Sequence, residues 1–462
     1  MQIESININE ADLNQGYNIN DYQLELTGGS KLYNTLNDLD DPPKDPHQNP
    51  GEDEDLSRID TLVQDHEDEE MRQAINDQSK NYNWVKVIGQ GTFGTVFHAY
   101  CLKSSQPVAI KKVYQDPKYR NREFSIVVEL DHPNCIKVHN YFFTQGEENP
   151  DEIYLNIVMD YIPDTLYRLL RYYKKSNQEF PNMLAKLLCY QLLRSMAYIK
   201  GLQICHRDIK PQNILIDSQS YRLALCDFGS AKKLEPGEES IAYICSRYYR
   251  SPELILGVKD YGCEVDMWAA GCVFAEMFLG DPLFLGNNNK EQFLRILSIM
   301  GAPTKSDYES MDYPHEVKMP KLEPITLERK LGGKVDPMAI DLMKRLLCYN
   351  RWERLDPFEG LTHPYFDDLR RGKVRVNGRE VVDLFDFTPE EVAGRQRLLK
   401  KLVPEWYEGA RRRGLGQDGR SAEMQMEPEL GMGFETGKGH AFEDRYFGED
   451  GEEEHPTSAM FG

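Results

Sequence analysis

The sequence contains neither a regular cysteine pattern nor a long apolar run. Its nine cysteines include no C-x-x-C pair and match no zinc-site spacing, so we expect reduced thiols. No apolar stretch reaches the ~18 residues of a membrane-spanning helix, and the first residues lack the basic and apolar regions of a signal peptide. We therefore expect a cytoplasmic protein that does not contact membranes, with nuclear entry left open.

Basic residues are scarce at both ends of the chain, whose formal net charge is −21. Residues 1–80 hold about 20 acidic and about 5 basic side chains, and residues 414–462 hold about 12 and about 3. The middle is close to neutral, so nucleic acid is not an expected partner. Both ends also have too little apolar surface to offset the entropy of ordering. We expect disorder in an acidic extension over 1–80 and in an acidic, glycine-rich tail over 411–462.

Hydrophobic periodicity changes once along the chain. Residues 84–88, 95–97 and 107–110 are rich in β-branched and aromatic side chains, which is typical of strands. Further on, residues 184–199 and 265–279 place apolar side chains at helical spacing. This order predicts an α+β fold in which a strand-rich lobe precedes a helix-rich lobe.

A glycine-rich stretch lies between the first two predicted strands. Residues 89–96 read G-x-G-x-x-G-x-V. Glycines let a backbone close over phosphate groups because no side chain blocks the approach of its amides. A dinucleotide-binding fold would continue into a helix, whereas here a strand follows. The pattern favours a loop over a triphosphate, although a purely structural hairpin would also explain it.

A lysine and a glutamate follow these glycines. Lys111 ends the strand-like V-A-I-K at 108–111, and Glu123 lies in a helical stretch. A strand lysine can reach the α- and β-phosphates of ATP if a helix carboxylate holds it. Either residue alone would be a surface charge, so the pair gains its meaning from the preceding glycines.

The eight residues at 206–213, His-Arg-Asp-Ile-Lys-Pro-Gln-Asn, give the strongest signal. Phosphoryl transfer needs a carboxylate that orients the acceptor hydroxyl and accepts its proton, and Asp208 fits that role. Lys210 can neutralise charge on the moving phosphoryl group and is typical of serine/threonine specificity. Asn213 and Asp227, the latter in Asp-Phe-Gly at 227–229, offer oxygen ligands for Mg²⁺. We therefore predict Asp208, Lys210, Lys111 and Glu123 as catalytic residues, with ATP and Mg²⁺ as cofactors.

Several longer stretches resemble the glycogen synthase kinase 3 (shaggy-like) family of serine/threonine protein kinases. The resemblance covers about residues 82–390 and is carried by residues 108–113, 118–123, 228–232, 243–250 and 384–388. It implies a bilobal kinase fold, with an antiparallel β N-lobe that contains one key helix and a mainly α-helical C-lobe. The implied domain covers 81–370, divided into an N-lobe (81–160) and a C-lobe (161–370), and a C-terminal kinase extension follows over 371–410.

The resemblance also implies the binding residues. ATP is expected to contact Ile88, Gly89, Gly91, Phe93, Gly94, Val96, Ala109, Lys111, Asp160 and Ile162. In the family, three cations bind a phosphate already present on the substrate, four residues C-terminal to the target, and they correspond to Arg122, Arg207 and Lys232. Tyr243 matches the tyrosine of the activation loop that the family phosphorylates, and Arg247 or Arg250 is its expected partner when modified.

The expected partners are pre-phosphorylated protein substrates, and scaffold proteins on the C-lobe are left open. A monomer is the default expectation. Two other functions remain open: a proline-directed enzyme of the cyclin-dependent or mitogen-activated type, and a scaffold that binds ATP without catalysis. The stretch around Glu123 does not have the composition expected of a cyclin-binding helix, and the complete set of catalytic residues argues against the scaffold.

Overall fold

A computed structural model gives the structure of the chain. It describes residues 78–91, 94–115, 121–146, 149, 152–234, 237–313, 324–333, 335–376 and 379–407. Most of the predicted end segments, 1–80 and 411–462, and Phe93 therefore lie outside the described residues. Among the helices that the structure describes, none is long and apolar enough to cross a membrane.

The first part of the described chain forms a five-stranded antiparallel sheet. Its strands are β1 (Tyr82–Gly91), β2 (Gly94–Cys101), β3 (Pro107–Tyr114), β4 (Val138–Gln145) and β5 (Ile153–Asp160), in the spatial order β1-β2-β3-β5-β4. Alternate residues of β3 point to opposite faces. Val108 and Ile110 join a small buried cluster on one face, so Ala109 and Lys111 are directed to the other face.

One helix, α1 (Arg122–Val127), accompanies this sheet. The side-chain oxygen of Asn121 accepts a hydrogen bond from the backbone nitrogen of Phe124 at 2.9 Å, which caps the first turn. Ile126 and Val127 are buried in the large hydrophobic core of the following lobe. This burial fixes the position of Glu123, which lies in the first turn of the helix.

The second lobe is mainly helical. Its helices are α2 (Leu166–Lys175), α3 (Asn182–Gly201), α4 (Pro252–Ile255), α5 (Glu264–Leu279), α6 (Asn289–Met300), α7 (Lys305–Ser310), α8 (Leu327–Lys330), α9 (Pro337–Leu346), α10 (Pro357–Gly360) and α11 (Asp367–Arg370). Helices α3 and α5 are buried almost all round. At Gly271 of α5 an added Cβ would lie 2.9 Å from the side chain of Leu347, so a larger residue would require Leu347 to shift.

Short strands flank the loops that contain the predicted catalytic residues. Strands β6 (Asp164–Thr165), β8 (Ile214–Ile216) and β9 (Leu223–Leu225) form one small sheet, and β7 (Ile204–Cys205) pairs with β10 (Lys232–Lys233). These short strands bracket the predicted catalytic stretch at 206–213 and the Asp-Phe-Gly stretch at 227–229. The two-lobed α+β fold expected from the sequence is confirmed.

After α11 the described chain continues as residues 371–376 and 379–407, and part of it packs against α3. They form the hairpin β11 (Arg375–Val376) and β12 (Arg379–Glu380), and the short helices α12 (Pro389–Val392) and α13 (Leu399–Leu402). The buried guanidinium of Arg194 on α3 binds the Glu391 carboxylate through two hydrogen bonds of 2.8 and 2.9 Å. An ion pair thus fastens this segment to the central helix.

Candidate active site

The backbone of the loop that follows β7 is held from α5. The carboxylate of Asp266 accepts hydrogen bonds from the backbone nitrogens of His206 (2.7 Å) and Arg207 (2.8 Å). Arg207 has a φ of +65°, which is uncommon for a residue with a side chain, so this conformation needs such support. Burial raises the pKa of Asp266, and the two backbone donors oppose that rise. The sequence analysis missed Asp266.

Four donors surround the carboxylate of Asp208. Its Oδ2 accepts from Lys210 Nζ at 2.7 Å and from Asn213 Nδ2 at 3.1 Å. Its Oδ1 accepts from the backbone nitrogen of Ser246 at 3.0 Å and from the Ser246 hydroxyl at 2.9 Å. The predicted catalytic residues Asp208 and Lys210 are therefore in direct contact. Ser246, 38 residues along the chain from Asp208, was not among the predicted site residues.

These donors determine the protonation of Asp208. Burial opposes ionisation, but the nearby Lys210 ammonium and its hydrogen bond, with the Ser246 hydroxyl, outweigh this effect. The pKa of Asp208 therefore lies below its usual value. The carboxylate is ionised at neutral pH and can accept a proton from a hydroxyl placed beside it.

Lys111 of β3 reaches across to the helix and to the Asp-Phe-Gly stretch. Its Nζ lies 2.6 and 2.7 Å from the two carboxylate oxygens of Glu123 and 3.6 Å from Asp227 Oδ1. Burial raises the pKa of Glu123, and the Lys111 ammonium opposes the rise. Phe228 is buried against the His206 ring, at a centroid distance of 4.9 Å, in the same core cluster as Val127 of α1. The pairing of Lys111 with Glu123 predicted from the sequence is present.

Asn213 and Asp227 offer oxygen atoms suited to a magnesium ion. The Asn213 amide nitrogen donates to Asp208 O at 2.9 Å and to Asp208 Oδ2, which leaves its oxygen as the acceptor atom of the amide. The Asp227 side chain is 40% exposed. Among the described residues, no three His, Cys, Asp or Glu side chains converge as a metal centre. Two hard oxygen ligands fit Mg²⁺ that arrives with nucleotide phosphates and keeps several waters.

The described residues of the predicted glycine loop lie on β1 and β2, which pair antiparallel. Gly89 pairs with Val96, and Gly91 pairs with Gly94. Gly94 has a φ of +123°, and an added Cβ would lie 2.3 Å from the Lys112 carbonyl oxygen, so this position requires glycine. Ile88 at the rim is exposed, whereas Ala109 of β3 is buried beside Lys111.

The segment that joins the two lobes begins at Asp160. The Asp160 carboxylate is bound by His139 Nε2 at 2.6 Å and by Arg222 Nη2 at 2.8 Å. The next residue, Tyr161, stacks on the His98 ring of β2 at a centroid distance of 4.1 Å. These contacts hold the Asp160 side chain and the Tyr161 ring, and the next residue, Ile162, which like Asp160 is an expected ATP contact, is partly buried.

Two of the three predicted phosphate-binding cations share a neighbourhood. Arg207 donates to the Ser230 carbonyl oxygen at 2.6 Å and to the Tyr261 hydroxyl at 3.2 Å. Lys232 Nζ lies 2.8 Å from Glu238 Oε1 and donates to the Ser240 hydroxyl at 3.3 Å. The third cation, Arg122, lies in the first turn of α1 with an exposed side chain. The described contacts therefore link Arg207 and Lys232, but not Arg122, to the activation segment, by which we mean the residues between the Asp-Phe-Gly stretch at 227–229 and α4.

Tyr243 lies half-exposed on the same activation segment. The guanidinium of Arg250 lies 4.5 Å from the centre of its ring. Arg250 is itself buried and donates to Ile244 O and Cys245 O, both at 2.9 Å. The other predicted partner, Arg247, donates instead to Asn287 O. Of the two arginines, Arg250 is therefore the neighbour of the unmodified tyrosine.

The described residues also contain an ion pair between Glu253 and Arg354. Arg354 Nη2 lies 2.7 Å from Glu253 Oε2, and both side chains are fully buried. Burial raises the pKa of Glu253, but the Arg354 charge outweighs it, so the pKa lies below its usual value. The pair joins α4, which follows the activation segment, to the loop before α10.

A comparison with protein families agrees with this geometry. The family model described as "protein kinase domain" matches residues 82–366, well over half of the chain. The chain belongs to the protein kinase family. Membership supports a phosphotransferase that uses ATP, typically with Mg²⁺, and acts on protein substrates.

Proposed function

We propose that this protein kinase phosphorylates serine and threonine, and that it favours substrates primed by a phosphate four residues C-terminal to the target. One observation carries the first part: the Asp208 carboxylate is held between Lys210 Nζ and the Ser246 hydroxyl, at 2.7 and 2.9 Å. A lysine two residues after the proposed base is typical of serine/threonine enzymes. The priming preference is supported by the resemblance to the glycogen synthase kinase 3 family.

In the proposed reaction, Asp208 orients the acceptor hydroxyl and accepts its proton as the new oxygen–phosphorus bond forms. Lys210 lies within 3 Å of the same carboxylate, so its ammonium can stabilise negative charge at the transferred group. Asn213 holds the Asp208 backbone and side chain in place through its amide nitrogen. Catalysis by these residues is mainly positioning and charge stabilisation.

Lys111 and Glu123 position the nucleotide in this proposal. The ion pair points the Lys111 ammonium to the face of the sheet that carries Ala109, where the ATP phosphates and adenine are expected. Asn213 and Asp227 would hold Mg²⁺, which when bound neutralises charge on the phosphate oxygens. The 3.6 Å between Lys111 Nζ and Asp227 Oδ1 puts these two groups in one site.

The priming site in this proposal comprises Arg122, Arg207 and Lys232. A phosphate carries nearly two charges and three acceptor oxygens at pH 7, so it can contact several cations at once. Arg207 and Lys232 are anchored by their contacts with Ser230 and Ser240. Tyr243 is the proposed phosphorylation site of the activation segment, because its half-exposed ring already lies against Arg250.

The test uses one peptide in two forms, Ser-x-x-x-Ser and Ser-x-x-x-phosphoSer, with the full-length protein. We expect transfer to serine, strong preference for the phosphorylated form, and loss of that preference in Arg122→Ala. Asp208→Asn should abolish transfer. Equal rates on both peptides would remove the priming preference, and equal transfer to a tyrosine peptide would remove serine/threonine specificity.

Two additions to this assay, a Ser-Pro peptide and a measurement of ATP binding, separate the two alternatives. A proline-directed enzyme would prefer Ser-Pro peptides regardless of the distal phosphate. A non-catalytic scaffold would bind ATP without transfer, and its behaviour would not differ between wild type and Asp208→Asn.

A further inference from the structure

One of the phosphate-binding cations of the proposed function, Lys232, already faces an anion of the chain itself. Glu238 Oε1 lies 2.8 Å from Lys232 Nζ, within the activation segment. The Lys232 side chain is only 13% exposed, whereas the Glu238 side chain is 41% exposed. A partly desolvated ammonium is therefore neutralised by a carboxylate that remains accessible to water.

Neighbouring hydrogen bonds hold this part of the activation segment against the cations. Ser240 is buried, its backbone nitrogen donates to Lys259 O at 3.0 Å, and its hydroxyl accepts from Lys232. Tyr261 donates to Ile241 O at 2.8 Å and accepts from Arg207 at 3.2 Å. The backbone at 240–241 is thus tied to both cations, two residues from Glu238.

A carboxylate on such an anchored segment competes well with carboxylates from solution. A group tethered this closely acts at an effective concentration of roughly millimolar or more. A peptide Glu or Asp at about 100 µM offers the same chemistry at least about tenfold more dilute. A phosphate differs in kind, because its second charge and third oxygen allow it to contact Arg207 as well as Lys232.

We propose that Glu238 is a specificity-determining residue: it occupies Lys232 as an internal anion, excludes acidic side chains, and yields only to a substrate phosphate. This inference rests on the proposed priming function. The exposed Glu238 carboxylate can leave Lys232 by side-chain rotation, while the backbone at 240–241 stays anchored. Glu238 would therefore set the threshold that separates phosphorylated from merely acidic substrates.

The chain offers a matched control at the next residue. Glu239 is 73% exposed and lies 3.6 Å from Lys259 Nζ, so it carries the same charge on the same segment without contacting the three cations. Glu238→Gln and Glu239→Gln change the net charge equally. A general electrostatic effect would appear in both variants, whereas loss of the internal anion would appear in Glu238→Gln alone.

The experiment measures KM and kcat of full-length wild type, Glu238→Gln and Glu239→Gln on three peptides with phosphoSer, Glu or Ala four residues after the target serine. In Glu238→Gln we expect KM for the phosphoSer peptide to fall about tenfold, and kcat/KM for the Glu peptide to rise by up to about tenfold relative to the Ala peptide, because neither ligand then has to displace the internal anion. Both changes should shrink at 0.5 M salt, because the carboxylate is partly exposed. Ratios between peptides within one variant do not depend on the fraction of folded enzyme.

The outcomes distinguish the two levels of the argument. If wild type treats all three peptides alike, the priming function fails and the inference fails with it. If wild type prefers phosphoSer but the peptide ratios of Glu238→Gln match those of wild type or of Glu239→Gln, priming stands and the role of Glu238 is refuted. A fall in kcat on all three peptides at constant ratios would show that Glu238 only supports the activation segment, and would also refute the proposal.

Discussion

Disruption of the ion pair between Arg194 and Glu391 tests how strongly the C-terminal segment after α11 is held to the helical lobe. Both side chains have no exposed surface, and Glu391 accepts from Arg194 Nε and Nη2 at 2.8 and 2.9 Å. The same carboxylate accepts from the backbone nitrogen of Thr388 at 2.8 Å and lies 3.2 Å from His132 Nε2. Glu391→Gln keeps the shape, removes the charge and puts an amide NH₂ where only acceptors fit.

The expected cost follows from two independent considerations. Removing one partner of a buried ion pair costs about 3–5 kcal/mol, and Asp386, which lies 2.9 Å from Arg194, keeps the value near the lower end. Burial opposes ionisation of Glu391, but His132 and Arg194 lower its pKa from 4.5 to about 2, which corresponds to ~3 kcal/mol. We therefore expect about 3 kcal/mol, or a fall in Tm of about 6 °C for a domain of this size.

Urea unfolding of wild type, Glu391→Gln and Asp386→Asn measures this difference. Asp386 binds the same guanidinium but is 38% exposed, so Asp386→Asn should cost under about 1 kcal/mol. Because the folded pKa of Glu391 is depressed, its contribution is complete above pH 4.5 and is lost as the pH falls towards 2. Equal losses in the two variants, or a Glu391→Gln effect that changes between pH 5 and 8, would refute the reasoning.

Three further predictions concern other residues of the kinase domain. Ser246→Ala removes the hydroxyl that accepts a hydrogen bond from Lys210 Nζ, so Lys210 is positioned less firmly and kcat should fall about tenfold in steady-state assays, with partial recovery in Ser246→Thr. Glu123→Gln leaves the Lys111 ammonium without its buried counter-charge, and kcat/KM for ATP should fall about 100-fold in steady-state assays. Burial raises the pKa of Glu276, which accepts from Tyr249, to about 7, so wild type loses stability as the pH rises from 4.5 through 7. Glu276→Gln should therefore gain up to about 3 kcal/mol over wild type at pH 8 and almost nothing at pH 4.5, as measured by urea unfolding.

The parts of the site that the sequence predicted are those whose chemistry requires a fixed local spacing. Asp208 and Lys210 must lie on one short loop, and the structure places their side chains 2.7 Å apart. Lys111 and Glu123 were predicted because a glycine loop preceded a strand lysine and a helical carboxylate. The two-lobed fold was predicted because strand and helix periodicities are segregated along the chain.

The parts that the sequence did not predict are contacts between distant residues. Asp266 lies 60 residues from His206, and Glu391 lies 197 residues from Arg194. No periodicity marks such pairs, because they are set by the packing of whole helices. Arg194, a charge within the mostly apolar helix α3, was one available signal that a buried counter-charge must exist. Its partner could not be chosen from sequence among the many acidic residues.

The proposed base shows why the supporting contacts matter as much as the motif. The four hydrogen bonds described above for the Asp208 carboxylate all come from groups of the chain itself, and one of the donors is the Ser246 hydroxyl. A substrate serine carries the same chemical group, so its hydroxyl can take the place of Ser246 Oγ at little net cost in hydrogen bonding. The backbone nitrogen of Ser246 and the ammonium of Lys210 meanwhile keep the carboxylate fixed and ionised. Ser246, Tyr243 and Glu238 lie on the same segment. One stretch of chain therefore carries both the hydroxyl that binds the Asp208 carboxylate and the carboxylate that is proposed to occupy the phosphate site. A substrate that carries both a target hydroxyl and a distal phosphate would displace the Ser246 hydroxyl and the Glu238 carboxylate together. Recognition of the distal phosphate and alignment of the target hydroxyl would then be coupled.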